Sequence, residues 1–187
     1  MMTKHLTKIA AVIIFLGLVA ATLYYYLPQV QDASSGVVIR DFNEASDTQP
    51  ILDLIAKDRY WLIASDDYSP EFMLKNRAPN KEEKEYYGKL NIKVLTADNK
   101  FVGFVAYYLK NFFTGHLLFI AVKEECRGKG YAQKLMDYAL QDFKKQGASM
   151  VFLVTRVSNT KAQSVYKKTG YTETERDKDF VYFTKWL

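Results

Sequence analysis

The chain has 187 residues, 49% of them hydrophobic and 15% aromatic, which is enough for one packed domain plus a short extra element and excludes a disordered polypeptide. A single cysteine, Cys126, and two histidines, His5 and His116, exclude an internal disulfide and the Cys/His spacings that zinc requires, so no metal site is expected. The formal charge of +5 is local, because residues 123–168 hold ten Lys/Arg against four Asp/Glu while the remainder holds 16 basic and 17 acidic residues.

A field confined in this way suits a compact polyanion as well as a nucleic acid, and a solvated helix face would also account for some of the lysines. In chain order, residues 9–27 carry no charge over 19 positions; as a helix they would extend about 28 Å, close to the thickness of a bilayer's hydrocarbon core. Tyr24, Tyr25 and Tyr26 stand at the far end, where amphipathic rings favour the headgroup boundary, and Pro28 stops the helix. The segment therefore predicts one transmembrane helix, followed by a small, polar linker over residues 28–36 and a domain over residues 37–187.

Within that domain, residues 37–40 form a short β-branched run, followed by capping candidates that include Asn43 and by a helix carrying Ile51, Leu54 and Ile55. Residues 60–85 are broken by Pro70 and Pro79 and have no clear period. Residues 92–96 and 101–109 read as a hairpin across Asp98-Asn99, two residues that tolerate positive φ. Residues 116–122 are a nearly continuous apolar strand of the sort buried on both faces. Ala132, Leu135, Met136, Ala139, Leu140 and Phe143 then mark one face of a helix that Gly147 ends. Residues 151–157 are a further buried strand, Asn159 caps a helix through Lys168, and residues 172–175 and 180–185 close as a strand pair.

The chemistry concentrates in Arg127-Gly128-Lys129-Gly130-Tyr131-Ala132, which leaves a buried strand and opens a helix. Unpaired N–H groups and the positive end of the helix converge there, and the two glycines allow close approach of an anion, so the loop predicts a phosphate site. Tyr131-Ala132 after Gly130 rules out a Walker A loop, and Gln133 weakens a dinucleotide fingerprint.

At these residues the sequence resembles the GNAT superfamily, the Gcn5-related N-acetyltransferases, whose signature is Arg or Gln, two residues, Gly, one residue, then Gly or Ala. Arg127, Gly130 and Ala132 satisfy it, and the block containing Asn159, Ala162, Tyr166, Gly170 and Tyr171 resembles the family's next conserved region. The resemblance implies an α+β fold with a mixed, mostly antiparallel sheet whose fourth and fifth strands splay apart. It implies acetyl-CoA as co-substrate, its pantetheine arm lying along Ile120, Ala121 and Val122 and its pyrophosphate on residues 127–132, with Asn159 nearby. It implies Tyr166 as the acid for the departing thiolate and the Ile120 N–H as donor to the thioester carbonyl. His116, four residues before Ile120 where some members carry glutamate, is the candidate base.

The function this reading expects is transfer of an acetyl or short acyl group from acyl-CoA to a primary amine, with no nucleic-acid partner. The alternatives are a long-chain N-acyltransferase, whose sign would be a wider groove lined by Phe112, Phe113 and residues 60–87, and a non-catalytic CoA-binding or membrane-tethered interaction module. Lys4 and Lys8 weakly favour an inside N-terminus, but Arg40 opposes them and acetyl-CoA is a cytosolic metabolite, so the domain is expected to face the cytosol. The acceptor has no diagnostic motif in the chain.

Overall fold

The structure is a computed structural model in which residues 36–81 and 86–187 are described. Its elements run β1 (Val37–Asp41), α1 (Glu44–Lys57), α2 (Arg59–Leu62), α3 (Pro70–Asn76), β2 (Tyr87–Ala97), β3 (Lys100–Leu109), β4 (Thr114–Val122), a 3-10 turn (Glu124–Cys126), α4 (Tyr131–Lys145), β5 (Met150–Arg156), α5 (Thr160–Lys168), β6 (Thr172–Arg176) and β7 (Phe180–Trp186). The seven strands form one sheet in the order β1-β2-β3-β4-β5-β7-β6. Among the described residues no helix is long and apolar enough to cross a membrane, and residues 9–27 lie outside them.

Local chemistry places most boundaries. Asn43 caps α1 by accepting from Ala45 and Ser46 N–H, and the buried Asp47 is held bidentately by Arg40 at 2.6 and 2.8 Å, tying α1 to β1. The β2–β3 turn is made by Asp98 and Asn99 at φ +49° and +60°, the conformation a two-residue hairpin demands. The unassigned stretch after α1 holds two short helices. Ser69 caps the second through Phe72 N–H, Pro70 occupies its first turn, where a missing N–H costs nothing, and Arg77 ends it in the left-handed region.

α1 and α3 cover one face of the sheet, burying Ile51, Leu54, Ile55, Met73 and Leu74 against Ile92, Val94, Phe104, Ala106 and Phe119. α4 covers the other, with Leu135, Met136, Ala139 and Phe143 fully buried. A β-carbon at Gly115 would stand 2.5 Å from the Phe143 ring, so glycine there lets α4 settle directly on β4. Tyr107 is wholly buried on the same side, where its hydroxyl donates to Asp142 at 2.7 Å.

The feature that positions the site is the pairing of β4 with β5. The strands are parallel and share three rungs, Thr114↔Met150, Gly115↔Val151 and His116↔Phe152, after which they separate although β4 continues to Val122 and β5 to Arg156. A register shift against β3 between Ala106 and Tyr107 leaves Leu118 as the extra residue of a bulge at the point of divergence. The edge of β4 facing β5 therefore has no strand partner over residues 117–122.

Candidate active site

The V between the two strands is a cleft of about 760 Å³ that continues along the first turns of α4 and the length of α5. Its floor is β4 from Leu117 to Val122, one side is Leu153, Val154 and Thr155 of β5, and its far end is the loop after the 3-10 turn.

That loop turns backbone donors, rather than side chains, toward the cleft. Gly128 and Gly130 sit at φ +78° and +77°, with nothing within 4 Å of where a β-carbon would stand, so the backbone conformation and not crowding requires glycine. Gly130 caps α4 without a side chain, and the helix's backbone bonding begins with Lys134 N–H to the Gly130 carbonyl at 3.1 Å. Among the described residues the N–H groups of 128–133 find no backbone acceptor, leaving a concave row of donors at the positive end of a 15-residue helix. Lys161 and Lys168 of α5 line the same cleft. A pyrophosphate fits this donor set, and an amide-bearing arm fits the unpaired edge of β4 as an added strand would.

Of the residues nominated from the sequence, the structure brings Tyr166, Ile120, Ala121, Val122, Arg127, Gly128, Gly130, Tyr131, Ala132 and Asn159 to this one cleft. Their roles differ in detail from the expectation. The guanidinium of Arg127 is not a free charge: it pairs with the Asp58 carboxylate and donates through Nε to the Val122 carbonyl at 2.9 Å, so it staples the loop to the end of β4. Asn159 accepts from Ala162 N–H at 3.2 Å and is the N-cap of α5. Lys129 does not line the cleft.

Tyr166, 8% exposed, lies on the inner face of α5 with its ring against Tyr171 and Phe183. Burial pushes its hydroxyl up to about 12, so near neutral pH the group is a protonated phenol with a proton available to donate.

His116 is elsewhere. It forms the last β4–β5 rung, its ring stacks on Phe152 at 4.1 Å, and its Nδ1 is 2.8 Å from the Tyr108 hydroxyl. It is not among the residues lining the cleft. Desolvation, aided by the positive charge of Lys110, pushes its pKa down to about 3, so the imidazole stays neutral and binds a proton too weakly to keep one taken from an ammonium. Phe112 and Phe113 are 62% and 67% exposed on the β3–β4 turn, at the opposite end of β4 from the phosphate loop, and they too are absent from the cleft wall.

Several lining residues had no signal in the sequence. Asp58, Trp61 and Leu62 reach the cleft from the α1–α2 corner, a stretch with no readable period, and Lys161 and Lys168 had been visible only as part of a charge excess. The partner of Arg127, Asp58, is 69 residues away and nothing local pairs the two.

The fold and family agree with this geometry. Solved structures with the same fold include Ard1 from Thermoplasma volcanium (TM-score 0.65, 20% identity, covering 81% of this chain and 98% of that one) and an acetyltransferase from Streptococcus agalactiae (0.66, 17%, 81% and 99%). PaiA N-acetyltransferase from Thermoplasma acidophilum, solved in complex with coenzyme A, is a third (0.62, 19%, 81% and 99%). In sequence, N-alpha-acetyltransferase 30 from Schizosaccharomyces pombe is 36% identical over 62 residues, which is 33% of this chain and 41% of that protein, so the match spans less than half of the relative. Residues 52–171 match the Acetyltransferase (GNAT) family, a stretch running from α1 past the phosphate loop to the end of the Tyr166 block, and the chain belongs to that family.

Proposed function

We propose that the protein transfers an acetyl group from acetyl-CoA to a primary amine by direct attack, with Tyr166 as the acid. The observation that carries this reading is the continuity of one cleft from the open N–H row at 128–133, along the unpaired edge of β4, to the Tyr166 side chain. A pyrophosphate seated on the row would lay the pantetheine arm along residues 120–122, bringing the thioester to the narrowing of the V. There the amine nitrogen bonds to the carbonyl carbon, the Ile120 N–H steadies the developing oxyanion, and the C–S bond breaks. The sulfur takes the Tyr166 proton, and solvent restores it. Transfer from a phenol to a thiolate is uphill for the separated groups, but the burial that raises Tyr166 raises the thiolate's affinity for a proton as well.

His116 has no part in this scheme, and the amine's own proton leaves to solvent. The exposed Phe112 and Phe113 do not line the cleft and so give no support to a long-chain donor. The partial likeness to an N-alpha-acetyltransferase makes peptide α-amines the first acceptors to try. The deciding experiment is thiol release from acetyl-CoA by the purified chain across peptides, polyamines and amino sugars. Amine-dependent release supports the reading, and tight CoA binding with no release for any amine would leave a binding module instead.

For location, we infer a single-pass membrane protein anchored through residues 9–27, with residues 37–187 on the cytosolic side where the donor is made. Protease added to intact cells should then spare the domain, and its removal would reverse the assignment.

A further inference from the structure

α2 is only four residues long, yet it is tied to both lips of the cleft's open end. On the β4 side Asp58, the residue before it, holds Arg127, and Lys57 pairs with Glu124 at 2.9 Å. On the β5 side stands Arg156, the last residue of β5 and four beyond the final β4–β5 rung. Its Nε donates to the Tyr60 carbonyl and another guanidinium nitrogen to the Ile63 carbonyl at 3.0 Å. The guanidinium is flanked by the Tyr60 ring at 4.4 Å and the Phe180 ring at 5.3 Å. Tyr60 Oη also lies 3.4 Å from Ser158 Oγ, just past β5.

Carbonyls at a helix C-terminus lack partners of their own, and one guanidinium here supplies two of them. Lysine could not do the same: it would keep the charge but lose the planar fork and the stacking between rings. Arg156 does not line the cleft, whereas Trp61 and Leu62, held between the two ties, do.

We propose that Arg156 is a positioning residue for transfer, strapping α2 to the end of β5 and so fixing Trp61 and Leu62 as a cleft wall against which the incoming acceptor is placed. The inference rests on the acetyltransferase reading above. The two ends of the strap have separable effects, because the Asp58 end bears on the phosphate loop while the Arg156 end bears on the wall facing β5 and β7.

Arg156→Lys in the full chain tests it with two measurements. The first is amide exchange without substrates, which reads the strap whether or not the protein is an enzyme. The N–H groups of Trp61, Leu62 and Ile63, bonded to Asp58 and Arg59 carbonyls at 2.9, 3.2 and 2.9 Å, are expected to exchange faster than in the wild type, with β3 and β4 unchanged. A rise of about tenfold or more is the expected size for losing two carbonyl contacts in a four-residue helix. The second is steady-state kinetics, where acceptor KM is expected to rise about tenfold while acetyl-CoA KM and kcat stay within about twofold, as for a misplaced binding wall. Unaltered exchange overturns the strap. Faster exchange with an unaltered acceptor KM overturns the positioning role, as does a fall in kcat and melting temperature with no change in KM. Asp58→Asn, at the other tie, is expected to shift acetyl-CoA KM instead. A wild-type chain that acetylates no amine counts against the acetyltransferase reading alone, and the exchange result still decides the strap.

Discussion

At its C-terminal end β4 releases the chain into glycines at φ +78° and +77° and a row of six N–H groups that find no backbone acceptor among the described residues. At its N-terminal end it places His116 under Phe152 and against Tyr108, neutral and off the cleft wall. The sequence nominates both ends, one for binding and one for catalysis. An anion site made of backbone needs only a conformation, and the spacing of glycines encodes that locally. A titrating side chain takes its character from neighbours, and those of His116 come from β3 and β5, eight residues before it and 36 after. Tyr166 lies between these cases, since its helix face is local but the walls that raise its pKa are not.

The variant with the largest expected effect tests the side-chain half of this contrast where it is strongest. Tyr166→Phe is expected to lower kcat ten- to a thousand-fold, about the range for losing a general acid, while CoA affinity stays nearly unchanged because the ring and its packing remain. Full activity, measured where chemistry limits turnover, would make solvent the proton source.

Next comes the backbone half. Gly130→Val is expected to weaken CoA binding about ten- to a hundredfold by calorimetry, since a β-branched residue resists the left-handed conformation that aims the N–H row. No atom lies within 4 Å of a β-carbon at 130, so Gly130→Ala, which adds that carbon alone, should show the conformational part of the loss without crowding the chain. Equal binding would mean that the loop is not the phosphate site. Changing Arg127 and Lys129 together to Glu is expected to weaken CoA about tenfold and to lower stability as well, because a carboxylate at 127 would face Asp58.

The smallest kinetic effect is expected at His116. His116→Gln should leave kcat within about threefold near neutral pH, in contrast to any general base, whose loss costs a hundredfold or more. Its signature is instead in stability. The folded-state pKa of about 3 lies below the ordinary 6.5, so between these values the unfolded chain binds more protons than the folded one. The stability tied to neutral His116 is complete above pH 6.5 and is lost as pH falls toward 3. The melting temperature of the wild type should therefore fall more steeply over that window than that of the variant. Parallel curves would show that the imidazole is not desolvated, and a hundredfold loss of rate would return it to the reaction.

Much of the fold was legible because its signals were local. Asp98-Asn99 announces the hairpin, the apolar spacing from Ala132 to Phe143 announces α4, and Asn159 announces the start of α5. The stretch from Tyr60 to Asn80 was not legible, since helices of four and seven residues are too short to show a period and are held by distant groups such as Arg156. Sheet order was hidden for the same reason: β7, the last strand, inserts between β5 and β6, a placement no local pattern records. Of the cleft, the β4 side and the phosphate loop could be nominated in advance, while Asp58, Trp61 and Leu62 on its rim emerged only from the assembled chain.

The three rungs that join β4 to β5 have a mechanical meaning as well. Four strands stand on one side of that seam and three on the other, and beyond His116↔Phe152 the two leaves of the sheet share no ladder bond. A molecule that bonds to β4 along the opening and closes against β5 and α5 acts as a splint across the seam, lending the sheet the rungs it lacks. Saturating donor should then slow amide exchange on both leaves at once and sharpen thermal unfolding, whereas inorganic pyrophosphate, which occupies the loop without entering the V, should protect the start of α4 and leave the far leaf as it was.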